Sequence, residues 1–207
     1  MSVPLHRPAL VFLAVFLGIG SLSSGWAGRA QRHFRLSESC TLQHPPQAVV
    51  SLAGAQAIVD FSPAGNGEQV ILKAIAAARH GILVQAYSFS DRRIQNALGA
   101  AKARGVAVEV ILDKTDAESY EHYPPVAAVI AAKGIPVWID GAVRIAHNKV
   151  MIIDGGDLIT GSYNFTYAAA YDNAENLLYI RNAPQLAQAY TANFNWRQGC
   201  SRRYAGP

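Results

Sequence analysis

Residues 146–166 read AHNKVMIIDGGDLITGSYNFT. Two apolar runs, VMII at 150–153 and LIT at 158–160, flank Asp154-Gly155-Gly156, a composition that turns a chain tightly. The stretch is therefore expected to fold as strand, turn, strand. Its polar residues stand at the ends. His147 and Lys149 lead in, Asp154 closes the first strand, and Ser162 and Asn164 follow Gly161. Side chains two apart on a strand share a face, so His147 and Lys149 project together. An unpaired polar or charged group in a core is costly, so these groups either satisfy one another or are gathered around a charged ligand.

The residue types suit one chemistry. A phosphodiester centre calls for a cation and hydrogen-bond donors on its non-bridging oxygens, and Lys149, Ser162 and Asn164 supply both. Main-chain N–H groups at the opening of a short helix after Gly161 favour an anion as well. Neutral imidazole is a competent nucleophile at phosphorus, which gives His147 the attacking role. A carboxylate behind the ring fixes its tautomer, and Glu175, at the start of ENLLYIR, is the candidate. Taken singly, each residue has a plainer reading: a satisfied strand histidine, a Gly-Ser turn, a turn aspartate, a surface glutamate. It is their combination across one strand-turn-strand-turn unit that points to a site.

Outward from this unit, strand patterns run through AQAIVDF (55–61), ILVQAYSF (82–89), VAVEVILD (106–113), IPVWID (135–140), VRIAHNKVMIID (143–154), DLITGS (157–162) and ENLLYIR (175–181). Helical patterns run through VILKAIAAARHG (70–81), DRRIQNALGAAKARG (91–105), VAAVIAAKG (126–134), FTYAAAY (165–171) and APQLAQAYTANFNWRQ (183–198). Lys114–Pro125 is polar and reads as a surface loop or a lid. Strands alternating with helices predict an α/β fold with a mixed, largely parallel β-sheet flanked by helices on both faces.

HNKVMIIDGGDLITGSYN matches the pattern H-x-K-x4-D-x6-G-S-x-N without a mismatch, and in this it resembles the phospholipase D superfamily. FSPAG, the segment VQAYSFSDRRIQNALGAAKARGVAVEVILD and GSYNFTYAAAYDNAENLLYI extend the resemblance over roughly residues 55–197, to the single-motif bacterial endonuclease branch. The resemblance implies that His147 attacks phosphorus to give a phosphohistidine. Lys149, Ser162 and Asn164 then bind phosphate, Glu175 orients the imidazole, and Asp154 is supportive. It also implies that a second histidine protonates the leaving oxygen.

This chain has one copy of the motif. His6, His33, His44, His80 and His122 are followed two places on by Pro, Arg, Pro, Ile and Pro. Two-histidine chemistry therefore predicts a C2 homodimer with both His147 side chains at one shared site. No cofactor is expected, and no Asp/Glu cluster suited to a metal stands out. The formal charge is +4, a mild excess that suits a polyanion and suits solubility equally well. Arg92, Arg93, Lys102, Arg104, Lys114, Arg144, Arg202 and Arg203 are candidate phosphate contacts, about half of them ordinary solvated charges by expectation. Tyr87, Tyr120, Tyr123, Tyr163 and Tyr171 are candidate stacking platforms or packing residues. The leading expectation is an endonuclease without sequence preference, acting on DNA, with RNA as a second candidate. The alternatives are a phospholipase D acting on lipid head groups and a catalytically silent nucleic-acid-binding protein.

The N-terminus fits export. Arg7 precedes the apolar run ALVFLAVFLGIG, and SLSSGWAG supplies small residues before a cut after Ala27, with Ala30 as a second position. The run is shorter than the roughly 20 residues of a spanning helix. Residues 1–27 are thus read as a secretory signal peptide, 28–54 as an N-terminal extension and 55–207 as the catalytic domain. Removing the leader takes away Arg7 alone among charged side chains and leaves +3. The destination is periplasmic or extracellular, with no stable membrane association. In that oxidising setting Cys40 and Cys200 are expected to pair as a staple between the termini.

Overall fold

The computed structural model describes residues 43–118 and 123–206. The predicted leader and Cys40 lie outside the described residues, while Cys200 is buried just beyond the last helix. The strands are β1 (Gln56–Ser62), β2 (Gly81–Ala86), β3 (Ala107–Asp113), β4 (Val137–Asp140), β5 (Lys149–Ile153), β6 (Asp157–Gly161), β7 (Glu175–Arg181) and β8 (Arg202–Arg203). The helices are α1 (Gly67–Ala77), α2 (Arg92–Ala103), α3 (Val126–Ala131), α4 (Tyr167–Tyr171) and α5 (Pro184–Gly199). All strands join one sheet in the order β1-β7-β6-β5-β2-β3-β4-β8.

Helices cover both faces, as expected. Alternation along the strands sorts the core into two layers. Met151 and Ile153 join Ile82, Val84, Val108, Val110 and Leu177 against Ile71 and Ile75 of α1, Ile94 and Leu98 of α2, Ile130 of α3 and Ala169 of α4. Val150 and Ile152 join Ile111, Leu158 and Ile180 against Ala187 and Phe194 of α5. All five residues of β5 are buried, which makes it the centre of the sheet and leaves Lys149, its first residue, as the polar end of an apolar strand.

The sheet is mixed, but the expectation that it is largely parallel is corrected by its pairings. Only β2–β3 and β3–β4 run parallel; the other pairs are antiparallel. Parallel neighbours need a crossover long enough to hold a helix, and α2 and α3 provide it. Between β5 and β6 the connection is far shorter. Residues 154–156 join β5 to β6, which permits only a hairpin. The expected strand across 143–154 shortens to Lys149–Ile153. Its front half is drawn off as a loop: Asp113 accepts from Ala146 N at 2.7 Å, and Lys114 Nζ donates to the carbonyls of Val143 and Arg144. Arg202 and Arg203, candidate phosphate contacts in the sequence, pair with Ile139 and Trp138 as an edge strand.

The extension is tied along α5. Ser51 N donates to Gln185 Oε1 at 3.0 Å, and the His44 ring meets Trp196 edge-on at 4.5 Å. Among the described residues no helix is long and apolar enough to cross a membrane.

Candidate active site

The register of the sheet gathers the site at one end. Lys149 opens β5 opposite Ala86, the last residue of β2. Val150 pairs with Thr160, so the opening of β5 lies beside Gly161 at the close of β6. Gly161 pairs with Leu177, which brings the start of β7 and Glu175 alongside. Gly161 is required there. Its φ is +148° and an added Cβ would stand 2.2 Å from the Asn176 carbonyl oxygen, a backbone atom with no room to yield.

His147 is exposed just before β5, and its ring lies 4.6 Å from that of Tyr87. Lys149 is 7% exposed; its ammonium donates to the His147 carbonyl at 3.2 Å and stands 5.0 Å from the centre of the Tyr87 ring. Burial pulls the Lys149 pKa below its ordinary value, and the Glu175 carboxylate opposes that pull.

Glu175 does not reach the imidazole. Its Oε2 accepts from Ser162 Oγ at 2.6 Å and its Oε1 from Asn173 Nδ2 at 3.1 Å. The Ser162 hydroxyl in turn accepts from Asn176 N at 3.0 Å and Asn176 Nδ2 at 3.1 Å, so it is saturated and holds Glu175 in place. The N–H groups of Ser162 and Tyr163, expected to face an anion, both donate to Asn176 O. Asn164 stands two residues on, with a buried Oδ1 that has no hydrogen-bond partner. The side chain between them, Tyr163, is buried and fixes the segment to the core.

Asp154 lies at the far end of β5, away from this group. It adopts φ 51° and accepts from the backbone N–H groups of Arg79, His80 and Gly81. Burial alone would raise its pKa, but the donors of Gly81, His80 and Arg79 outweigh it and hold the carboxyl below its usual range. Its work is to latch the end of α1 to the β5–β6 hairpin.

Several predicted phosphate contacts are spoken for. Arg104 Nη2 bonds Ile75 O at 3.0 Å, closing the end of α1. Arg93 pairs with buried Glu68 at 2.9 Å and with the Tyr171 hydroxyl at 3.1 Å, while Tyr171 donates to Glu68 at 3.1 Å. That network joins α1, α2 and α4. Tyr123 is exposed, and Tyr120 lies outside the described residues.

Residue-by-residue reading missed Asn173, Asn176 and Asp116. The pairing of Gly161 with Leu177 is what brings the asparagines to Ser162, and that pairing is not written in local pattern. Asp116 is buried, and the N–H groups of Phe89 and Ser88, next to Tyr87, face its carboxyl. Burial pushes its pKa up to about 6, with Asp113 adding to the rise and the Phe89 and Ser88 donors only partly offsetting it. The charged form is therefore disfavoured in the fold. Its contribution to stability is fully present below the ordinary carboxyl value of 3.8 and is lost as pH rises through about 6. Asp116→Asn removes the titration and keeps an acceptor for the two donors. The stability difference between variant and wild type is expected to move by about 2 kcal/mol in favour of the variant between pH 4 and pH 8. Denaturant titrations at both pH values check this.

In sequence and in fold the chain is similar to known proteins. A family profile described as cardiolipin synthase, PLD-like domain, matches residues 71–198. A protein named phospholipase D from Rickettsia bellii is 35% identical over 187 residues, spanning 89% of this chain and 91% of that one. The crystal structure of Nuc, a phospholipase D family member from Salmonella typhimurium, superposes with a TM-score of 0.68 at 36% identity, covering 72% of this chain and 98% of that one. NucT from Helicobacter pylori shares the fold at a TM-score of 0.60 and 18% identity, over 72% of this chain and 99% of that one.

Proposed function

The chain belongs to the phospholipase D superfamily, and on that premise we propose that it is an exported endonuclease cleaving DNA, and RNA as a second substrate, without sequence preference. The observation that carries the reading is the convergence of His147, Lys149, Glu175 and Ser162 at one end of the sheet. A His147 nitrogen attacks phosphorus; the P–N bond forms as the P–O bond to the leaving alcohol breaks. The leaving oxygen takes its proton from the His147 of a second copy. Water then attacks the phosphohistidine, gives its proton to that second imidazole, and the P–N bond breaks. Lys149 neutralises charge on the non-bridging oxygens throughout. Asn164 is the remaining phosphate ligand, and Ser162 acts through the carboxylate it holds. One motif per chain supports the C2 dimer, and no cofactor takes part. The leader at 1–27 supports export, and a Cys40–Cys200 staple accompanies it.

The relative named phospholipase D favours a second reading, hydrolysis of a lipid head-group phosphodiester by the same histidine chemistry. Purified protein incubated in EDTA with plasmid, with structured RNA and with phosphatidylcholine vesicles separates the two. Nicked and linear plasmid without choline release is expected. Choline release with intact plasmid would establish the lipid reading instead.

A further inference from the structure

We propose that Tyr87 is a positioning residue of the active site, its ring setting the plane of the His147 imidazole and seating the Lys149 ammonium. The inference rests on the phosphodiester reading for its catalytic consequence, and on geometry alone for the placement. Among the described residues, Tyr87 is the aromatic side chain that touches the His147 ring, at 4.6 Å between centroids and 47° between planes. The same ring carries the Lys149 ammonium at 5.0 Å from its centre, within the roughly 6 Å over which a ring quadrupole attracts a cation. Glu175, the residue expected to hold the imidazole, spends both carboxylate oxygens on Ser162 and Asn173. The exposed imidazole therefore has Tyr87 as its orienting neighbour.

The backbone makes this placement firm. Tyr87 N donates to Asn148 O at 2.9 Å, which carries the β2–β5 ladder one rung beyond Ala86 and Lys149. That bond ties Tyr87 to the residue lying between His147 and Lys149. Immediately after it, Ser88 takes φ 60°, and Phe89 packs at 5.3 Å against Phe165 of the segment that follows Asn164. A single short run, Tyr87-Ser88-Phe89, thus touches the H-x-K residues and Phe165, the residue that follows G-S-x-N. An imidazole free to rotate would present its nitrogen to phosphorus in only a fraction of encounters, and misorientation of a reacting group is costly in rate.

Two variants and one spectrum test the assignment. Tyr87→Phe keeps the ring and is expected to hold kcat within about threefold; Tyr87→Leu removes it and is expected to lower kcat about 10- to 100-fold, with KM moved far less. In wild-type protein the Cε1–H and Cδ2–H resonances of His147 are expected to show a ring-current displacement. It persists in Tyr87→Phe and vanishes in Tyr87→Leu. The spectrum needs no turnover, so it separates failure of this placement from failure of the functional reading. Equal kcat for all three proteins, or His147 resonances without a ring-current displacement in the wild type, would overturn the proposal. If Tyr87→Leu does not fold, the wild-type spectrum and the Tyr87→Phe rate still decide it.

Discussion

His147→Ala is expected to abolish phosphodiester cleavage, with a fall in kcat of about 10⁴-fold or more, because it removes the nucleophile of the proposed mechanism. The fold is expected to survive. His147 is exposed, its ring contact is with Tyr87, and the hydrogen bond from Lys149 goes to its backbone carbonyl, which alanine retains. Exposed substitutions of this kind shift stability by about 0.5 kcal/mol or less. Loss of cleavage with retained DNA binding and an unchanged melting curve is the expected pattern. A protein that never cleaved and only bound would show no activity to lose. Substantial cleavage by the variant would assign the attack to another residue.

The second large effect is on stability and is expected at Arg197. Its guanidinium reaches from α5 to Asp140 at the end of β4, with Nε donating to Oδ2 at 2.7 Å and Nη2 to the same oxygen. Asp140 is 1% exposed and Arg197 6%. Arg197→Met strands a buried carboxylate, and breaking such a pair from one side costs about 3–5 kcal/mol. Arg197→Met combined with Asp140→Leu is expected to recover much of that loss, since two apolar groups can replace a buried pair at little cost. Urea denaturation of the single and double variants measures it. The single variant also reaches the site. Asp140 accepts from Ala142 N at 3.2 Å, and the loop that starts there carries His147, so cleavage is expected to fall more than the residual folded fraction explains.

The gathering of His147, Lys149 and Ser162 at one end of the sheet was legible in the sequence because they sit at fixed offsets. Spacing alone put His147 beside Lys149, and strand ends beside Gly161-Ser162. The covering helices were legible from apolar periodicity in α1 and α2. Strand direction was not, because it depends on which strands become neighbours. β5 inserts between β6 and β2, and an alternation of patterns does not encode an insertion. The length of the Asp154–Gly156 connection was the one local clue to an antiparallel half. Glu175 was found but its partner was not, since the Ser162 bond arises from cross-strand register. Asp154 fits the motif spacing perfectly yet serves the opposite end of the strand, because a motif records positions along the chain and Asp154 is several rises of about 3.3 Å away from Lys149. Tyr87 was legible as a candidate stacking platform or packing residue and not as a neighbour of both motif residues.

A covalent bond between His147 and phosphorus is the centre of the proposed mechanism. Rapid mixing with ³²P-labelled oligonucleotide, an alkaline denaturing quench and peptide mapping tests it directly. The expected result is label on the peptide that contains His147, stable to alkali, released by acid and absent from His147→Ala. Brisk cleavage with no protein-bound label, or label on another residue, would contradict it.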